Sequence, residues 1–160
     1  MPSTPCNIAA ALPRLAAERP NQPAIRCPGR RSAGNGPAAY DVVLDYAALD
    51  ARSDAIAAGL AKQGIGRGVR TVVMVRPSPE FFLLMFALFK AGAVPVLVDP
   101  GIDRRALKQC LDEAKAEAFI GIPLAHLARR LLGWAKSADR LVTVGRRWGW
   151  GGTTLAKVER

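Results

Sequence analysis

Four short apolar stretches alternating with helical ones predict an α/β fold, a parallel sheet with helices on both faces. Parallel strands cannot be joined by a tight turn, so each step in such a sheet needs a crossover helix. Length and composition agree with that class. The 160 residues are 50% hydrophobic, 22% charged and 6% aromatic, which excludes collagen, a disordered tail and a disulfide-rich miniprotein. At this length roughly two-thirds of the unfolded surface is buried on folding, so a core needs no metal or disulfide to hold it.

Along the chain, Asn7 is placed to cap a short helix, and Pro13 kinks or restarts it at a first-turn position. Pro20 and Pro23 end that segment, and Ala24 to Cys27 reads as a strand. Residues 28–39, rich in Gly, Pro and Arg, read as an exposed hairpin-like loop, with Tyr40 to Leu44 as the partner strand. Tyr46, Leu49, Ser53, Ile56 and Leu60 recur at helical spacing, so a helix runs from Tyr46 to Gln63 with Asp45 as its cap and Gly64 as its stop. Thr71 to Val75 is a β-branched run suited to a strand covered on both faces. Pro77-Ser-Pro79 then leads into an apolar helix, Glu80 to Ala91. Val94 to Val98 is the next strand, also expected to be covered on both faces. Asp99-Pro-Gly101 turns the chain, and Asp103 caps a helix with Leu107, Cys110, Leu111 and Ala114 on one face. Ala118 to Gly121, a helix from Leu124 to Trp134 and a strand from Leu141 to Val144 complete the alternation. Beyond Gly145 there is no strong period and no further crossover to close the sheet.

The formal charge of +10 admits nucleic acid, an anionic membrane or an acidic ligand as partner. Its distribution argues against the first: residues 121–160 hold eight basic and two acidic residues, while residues 1–120 hold fifteen and eleven. Cys6, Cys27 and Cys110 are odd in number and far apart, which argues against a disulfide framework or zinc site and fits a reducing cytoplasm. The amino terminus lacks a signal-peptide pattern. The apolar run Phe81 to Phe89 is well short of the roughly 20 residues a membrane span needs, so it reads as a buried helix.

Chemical motifs are sparse. Gly64-Ile-Gly66-Arg-Gly68 follows a helix and precedes a strand, the reverse of a dinucleotide loop, so its glycines are turn residues. Gly151-Gly-Thr-Thr154 with Lys157 lacks the Gly-Lys-Ser/Thr of a phosphate loop. His126, the single histidine, falls at a helix start where a packed or capping role is expected rather than catalysis. Asp99 ends an apolar strand, the place where α/β proteins put ligands, yet Asp before Pro-Gly is usually a turn residue. The Arg pairs 104/105, 129/130 and 146/147 could hold phosphates, although solvated faces explain most such doublets. Lys90, after nine apolar residues, mimics a buried catalytic amine; a structural role is expected, its ammonium reaching water or a helix-end carbonyl.

Two stretches carry more than their chemistry. Leu44-Asp-Tyr-Ala-Ala-Leu49, before an Ala-rich helix, resembles the first core motif of the adenylate-forming superfamily of acyl-CoA synthetases and peptide-synthetase adenylation domains. Leu88-Phe-Lys-Ala-Gly-Ala-Val-Pro-Val-Leu-Val-Asp-Pro100 resembles its second core motif, with Gly68 to Val75 and Pro77 to Glu80 in matching order between them. Asn7-Ile-Ala-Ala10, Ile122-Pro-Leu-Ala-His126 and Val144-Gly-Arg-Arg-Trp148 look most like the fatty-acyl ligase-like β-lactone synthetases of bacterial olefin biosynthesis.

That resemblance implies activation of a fatty or β-hydroxy acid with ATP and Mg²⁺ to an acyl-adenylate; in the β-lactone branch the β-hydroxyl then displaces AMP. The family's phosphate loop, adenine motif, ribose-binding aspartate and catalytic lysine all fall downstream of these motifs. No catalytic, cofactor-binding or metal-binding residue is therefore carried onto a numbered position here, and neither ATP nor Mg²⁺ is expected to bind this chain tightly. Residues 1–160 are expected to be a single incomplete AMP-binding domain, the amino-terminal lobe of a ligase, not competent alone. Its partners would be the remaining ligase portion and the acid substrate. The rival reading is a stand-alone, noncatalytic basic binding module. A sheet ending before its last crossovers would also leave apolar surface uncovered.

Overall fold

The computed structural model describes residues 7–28, 40, 42–98 and 101–160, all of whose side chains are placed except those of Val42 and Arg104. The predicted loop over residues 28–39, the Asp99-Pro100 turn and Cys6 lie outside the described residues, apart from Pro28.

Asn7 caps a short 3-10 turn, Ile8–Ala11, by accepting from the Ala9 N–H at 2.9 Å, and its amide donates to the Phe89 carbonyl. Helix α1, Leu12–Glu18, restarts with Pro13 in its first turn. Strands β1, Pro23–Cys27, and β2, Val42–Asp45, pair antiparallel as a separate two-stranded ribbon. Helix α2, Tyr46–Lys62, starts under an Asp45 cap whose carboxylate accepts from Ala48 N–H at 2.7 Å. There follow β3, Arg70–Met74; α3, Pro79–Ala91, capped by Ser78; β4, Val94–Leu97; α4, Arg104–Ala114, capped by Asp103; β5, Ala118–Gly121; α5, Pro123–Leu132; and β6, Arg140–Thr143.

The main sheet has the order β4-β3-β5-β6-β7, every neighbouring pair parallel. Its fifth strand, β7, Thr153–Thr154, and the short helix α6, Leu155–Val158, were not legible in the sequence. The link from β6 to β7 is a loop rather than a crossover helix. Alternation along the strands divides the core in two. Val73, Ala118, Ile120 and Val142 face α2, α3 and α6; Val72, Phe119 and Leu141 face α4 and α5. Register aligns the second set across the sheet, with Val72 opposite Phe119 and Phe119 opposite Leu141.

Three expectations need correction. Strand β4 is an edge strand with Val94 and Leu97 exposed, not a strand covered on both faces. Cys110 points to solvent, because only Leu107 and Leu111 of α4 reach the core. Helix α3 buries Leu83, Leu84, Ala87 and Leu88 but leaves Phe82 on the surface, so it is not enclosed all round.

Close approach of α6 to α2 requires a glycine. A Cβ at Gly59 would stand 1.8 Å from the Val158 carbonyl oxygen. Gly to Ala inside a helix normally gains about 1 kcal/mol from propensity. Here the clash is with backbone, and overpacking typically costs about 1–3 kcal/mol. Gly59→Ala should therefore lower the urea midpoint and make the carboxyl-terminal segment more sensitive to protease; an unchanged or raised midpoint would contradict this packing.

Candidate functional site

The order β4-β3-β5 creates a reversal in direction. From β3 the chain crosses by α3 to one side, and from β4 it crosses back by α4 beyond β3 to β5. Right-handed crossovers in opposite directions put their helices on opposite faces, and α3 and α4 do lie in different halves of the core. A crevice opens where adjacent strands send their connections opposite ways, beyond the carboxyl ends of the strands.

A cavity of about 560 Å³ occupies that place. It is walled by the end of β3 and its loop (Val73 to Pro77), Phe81 of α3, Leu97 at the end of β4 and Val98 after it, Leu107 of α4, and Leu124, Ala125 and Ala128 of α5. Among the described residues, Arg76 is the single charged side chain on the wall. Such a lining can receive an apolar group and hold an anion at Arg76. Among the described residues its lining holds no nucleophile, carboxylate or imidazole. The cavity was invisible to sequence reasoning, which tracked one element at a time; the signal that could have found it is the apolar ending shared by three consecutive strands.

The singled-out residues do not converge on it. His126 is 1% exposed and faces the interior beside β6, with its Nε2 3.0 Å from the Val142 carbonyl. A carbonyl only accepts, so Nε2 carries the proton. Trp150 stacks on the ring at 5.3 Å, and Phe119 meets it edge-on at 5.0 Å. Nδ1 is buried without a partner, as is Nε of Arg129, whose Nη2 donates to the Ala138 carbonyl. His126 is thus a packed histidine, as its place on the chain suggested. Arg147 donates to the Gly152 carbonyl, a loop contact. Gly64, Gly68, Gly151 and Gly152 all have positive φ and shape turns. Asp99 is outside the described residues, and Cys27 is buried and free.

Lys90 is structural, with partners other than those expected. Its Nζ lies 2.6 Å from Asp50 Oδ1, 2.8 Å from Asp54 Oδ1 and 3.0 Å from the Asp50 carbonyl. The three N–H groups of the ammonium are matched by three acceptors on α2. Asp50 and Asp54 stand four apart on that helix, so one cation on α3 closes both. On the other flank of α2, Arg52 holds Glu159 through two hydrogen bonds, fixing the end of α6. That bond raises the Arg52 pKa.

The sequence pattern of the AMP-binding enzyme family matches residues 12–153. The chain belongs to that family. It is 84% identical over 156 residues to an olefin β-lactone synthetase of Stenotrophomonas maltophilia and 80% identical over 158 residues to one of Xanthomonas campestris. Those alignments cover 98% and 99% of this chain and 28% of each relative. A long-chain-fatty-acid-CoA ligase of Archaeoglobus fulgidus superposes with a TM-score of 0.76 at 17% identity, over 96% of this chain and 29% of that one. The chain thus corresponds to the amino-terminal lobe of an adenylate-forming ligase. Enzymes of this family use ATP and Mg²⁺. The residues described here do not fit that pair: among them no three His, Cys, Asp or Glu side chains gather to ligate a metal, and the cavity wall carries one charge.

Two measurements check this electrostatic picture. Replacing Lys90 by Met leaves Asp50 half-enclosed without its cation. Breaking a buried pair costs about 3–5 kcal/mol, and the exposure of Asp54 reduces that to roughly 1–3 kcal/mol. A urea midpoint within error of wild type would refute the clamp. For His126, burial pushes the pKa below its ordinary value; the Val142 hydrogen bond opposes this and the Arg129 charge adds to it. The unfolded imidazole therefore binds a proton near pH 6.5 that the folded one refuses, so stability falls as the pH drops through that value. The slope is at most about 1.4 kcal/mol per pH unit. Urea unfolding at about pH 7.5 and 5.5 should show that loss in wild type and a smaller one in His126→Gln, whose amide can still donate to Val142.

Proposed function

We propose that this chain is part of an AMP-forming ligase that adenylates a fatty or β-hydroxy acid with ATP and Mg²⁺, and that its finer activity is β-lactone synthesis. One observation carries the reading: 84% and 80% identity to two olefin β-lactone synthetases over nearly the whole chain. Divergence that small leaves the core and cavity wall little room to differ. Residues 1–160 act in this reading as a single incomplete AMP-binding domain that supplies scaffold and an apolar wall, while the nucleotide and catalytic groups come from the rest of the polypeptide. No numbered residue here is assigned a catalytic, cofactor or metal role. The partners are the remaining ligase portion and the acid substrate, not nucleic acid. No helix among the described residues is long and apolar enough to cross a membrane. A reducing cytoplasm is the compartment proposed, consistent with free Cys27 and Cys110.

The test compares two purified proteins, the 160-residue chain and the full-length ligase that contains it. With a β-hydroxy fatty acid, the ligase should catalyse acid-dependent ATP–pyrophosphate exchange and release AMP and a β-lactone. The 160-residue chain should exchange no faster than buffer, because positioning and electrostatic stabilisation supply most of such catalysis. Exchange by the short chain, or a full-length protein without acid-dependent exchange, would overturn the proposal.

A further inference from the structure

The apolar lining of the cavity continues past its rim. Leu124 and Ala128 of α5 are on the wall, and Leu131 extends the same stripe at i, i+4, i+7 spacing, which aligns side chains along one helix face. Leu131 is 73% exposed, Leu124 60%, and Leu97 at the cavity edge 57%. Single exposed leucines are ordinary; a concave apolar surface with three of them marks an interaction site. Two cations border it: Arg76 stands on the wall and Arg130 is exposed beside Leu131.

We propose that this surface, the cavity mouth together with the Leu124–Ala128–Leu131 stripe, is an interface within the ligase. Its occupant is an apolar element with an acidic rim, supplied by the rest of the same polypeptide. The proposal rests on the reading of this chain as part of a longer ligase. Three observations select that occupant. The chain spans 28% of the length of the relatives it matches, so most of such a ligase lies outside it, tethered at millimolar effective concentration. The surface is concave, so a protruding side chain or helix edge enters it, whereas a flat bilayer leaves it unfilled. Carboxylates on the rim would answer Arg76 and Arg130, and complementary charge fixes register at such contacts.

The experiment uses the full-length ligase carrying Leu131→Cys, and separately Leu124→Cys. Alkylation by N-ethylmaleimide is followed peptide by peptide, natively and in denaturing urea, with native Cys110 on exposed α4 as the internal reference. Both engineered thiols should react roughly tenfold or more slowly in the native ligase than in urea, the protection expected when labelling needs a local opening. Native labelling at the unfolded rate overturns the proposal. Protection that appears only with anionic phospholipid vesicles overturns it too, in favour of a membrane-facing surface. A ligase that makes lactone yet labels freely at Leu131→Cys refutes the interface alone. One that is protected there but inert toward β-hydroxy acids refutes the proposed activity alone.

Discussion

Everything in this lobe follows from a parallel sheet having two apolar faces and each crossover being able to cover only one. Val72, Phe119 and Leu141 look one way, Val73, Ile120 and Val142 the other. Burying a large apolar side chain is worth roughly 1.5–3 kcal/mol, comparable with a sizeable part of a domain's net stability of about 5–15 kcal/mol. Neither face can therefore be left bare. Reversing the direction of travel across the sheet after β4 is what sends α3 to one face and α4 and α5 to the other. That reversal also opens the crevice. The site is a by-product of covering the sheet.

Helix α2 shows how much of the first face depends on few polar contacts. It packs against α3 through Leu49, Ile56 and Leu60, and its polar flank is closed by Lys90 from α3 and by Glu159 from beyond α6. A cation in an apolar helix is costly unless every N–H finds an acceptor. Two aspartates one turn apart provide them. The same pairing fixes how α2 and α3 slide past one another, which a leucine seam alone does loosely.

Much of this was legible in the residues because it is local. Asn7, Asp45 and Asp103 cap the helices they precede, and most of the run from Thr71 to Val75 forms a covered strand, β3; such signals need only neighbours in sequence. What escaped was set by distant partners. Thr153 and Thr154 have no periodicity of their own and become a strand because β6 presents Val142 and Thr143 to them. Val94 to Leu97 is as apolar as the buried strands, yet nothing within it says that it will stand at an edge. Asp50 and Asp54 look like solvated residues until α3 arrives. Cys110 lies one residue before Leu111, and a small error in helical phase moved it from surface to core. The cavity joins ends of three strands and parts of three helices, so no single segment could announce it.

The polar groups described near the core of this lobe serve its packing. The Lys90 ammonium is saturated by three acceptors, and the imidazole of His126 is buried, stacked on Trp150 and tied to Val142. Both groups are committed to packing. The described cavity wall, by contrast, makes no commitment: apolar, open at the carboxyl ends, with Arg76 as the one charge among the described residues. Adenylation needs donors aimed at charge that develops on phosphate, held rigidly before the reaction begins. On the proposed function, a division of labour would answer that need, with rigidity residing in the two-faced sheet and the reacting groups supplied by the rest of the ligase. Stability and chemistry then occupy different residues, and substitutions that tune one need not disturb the other.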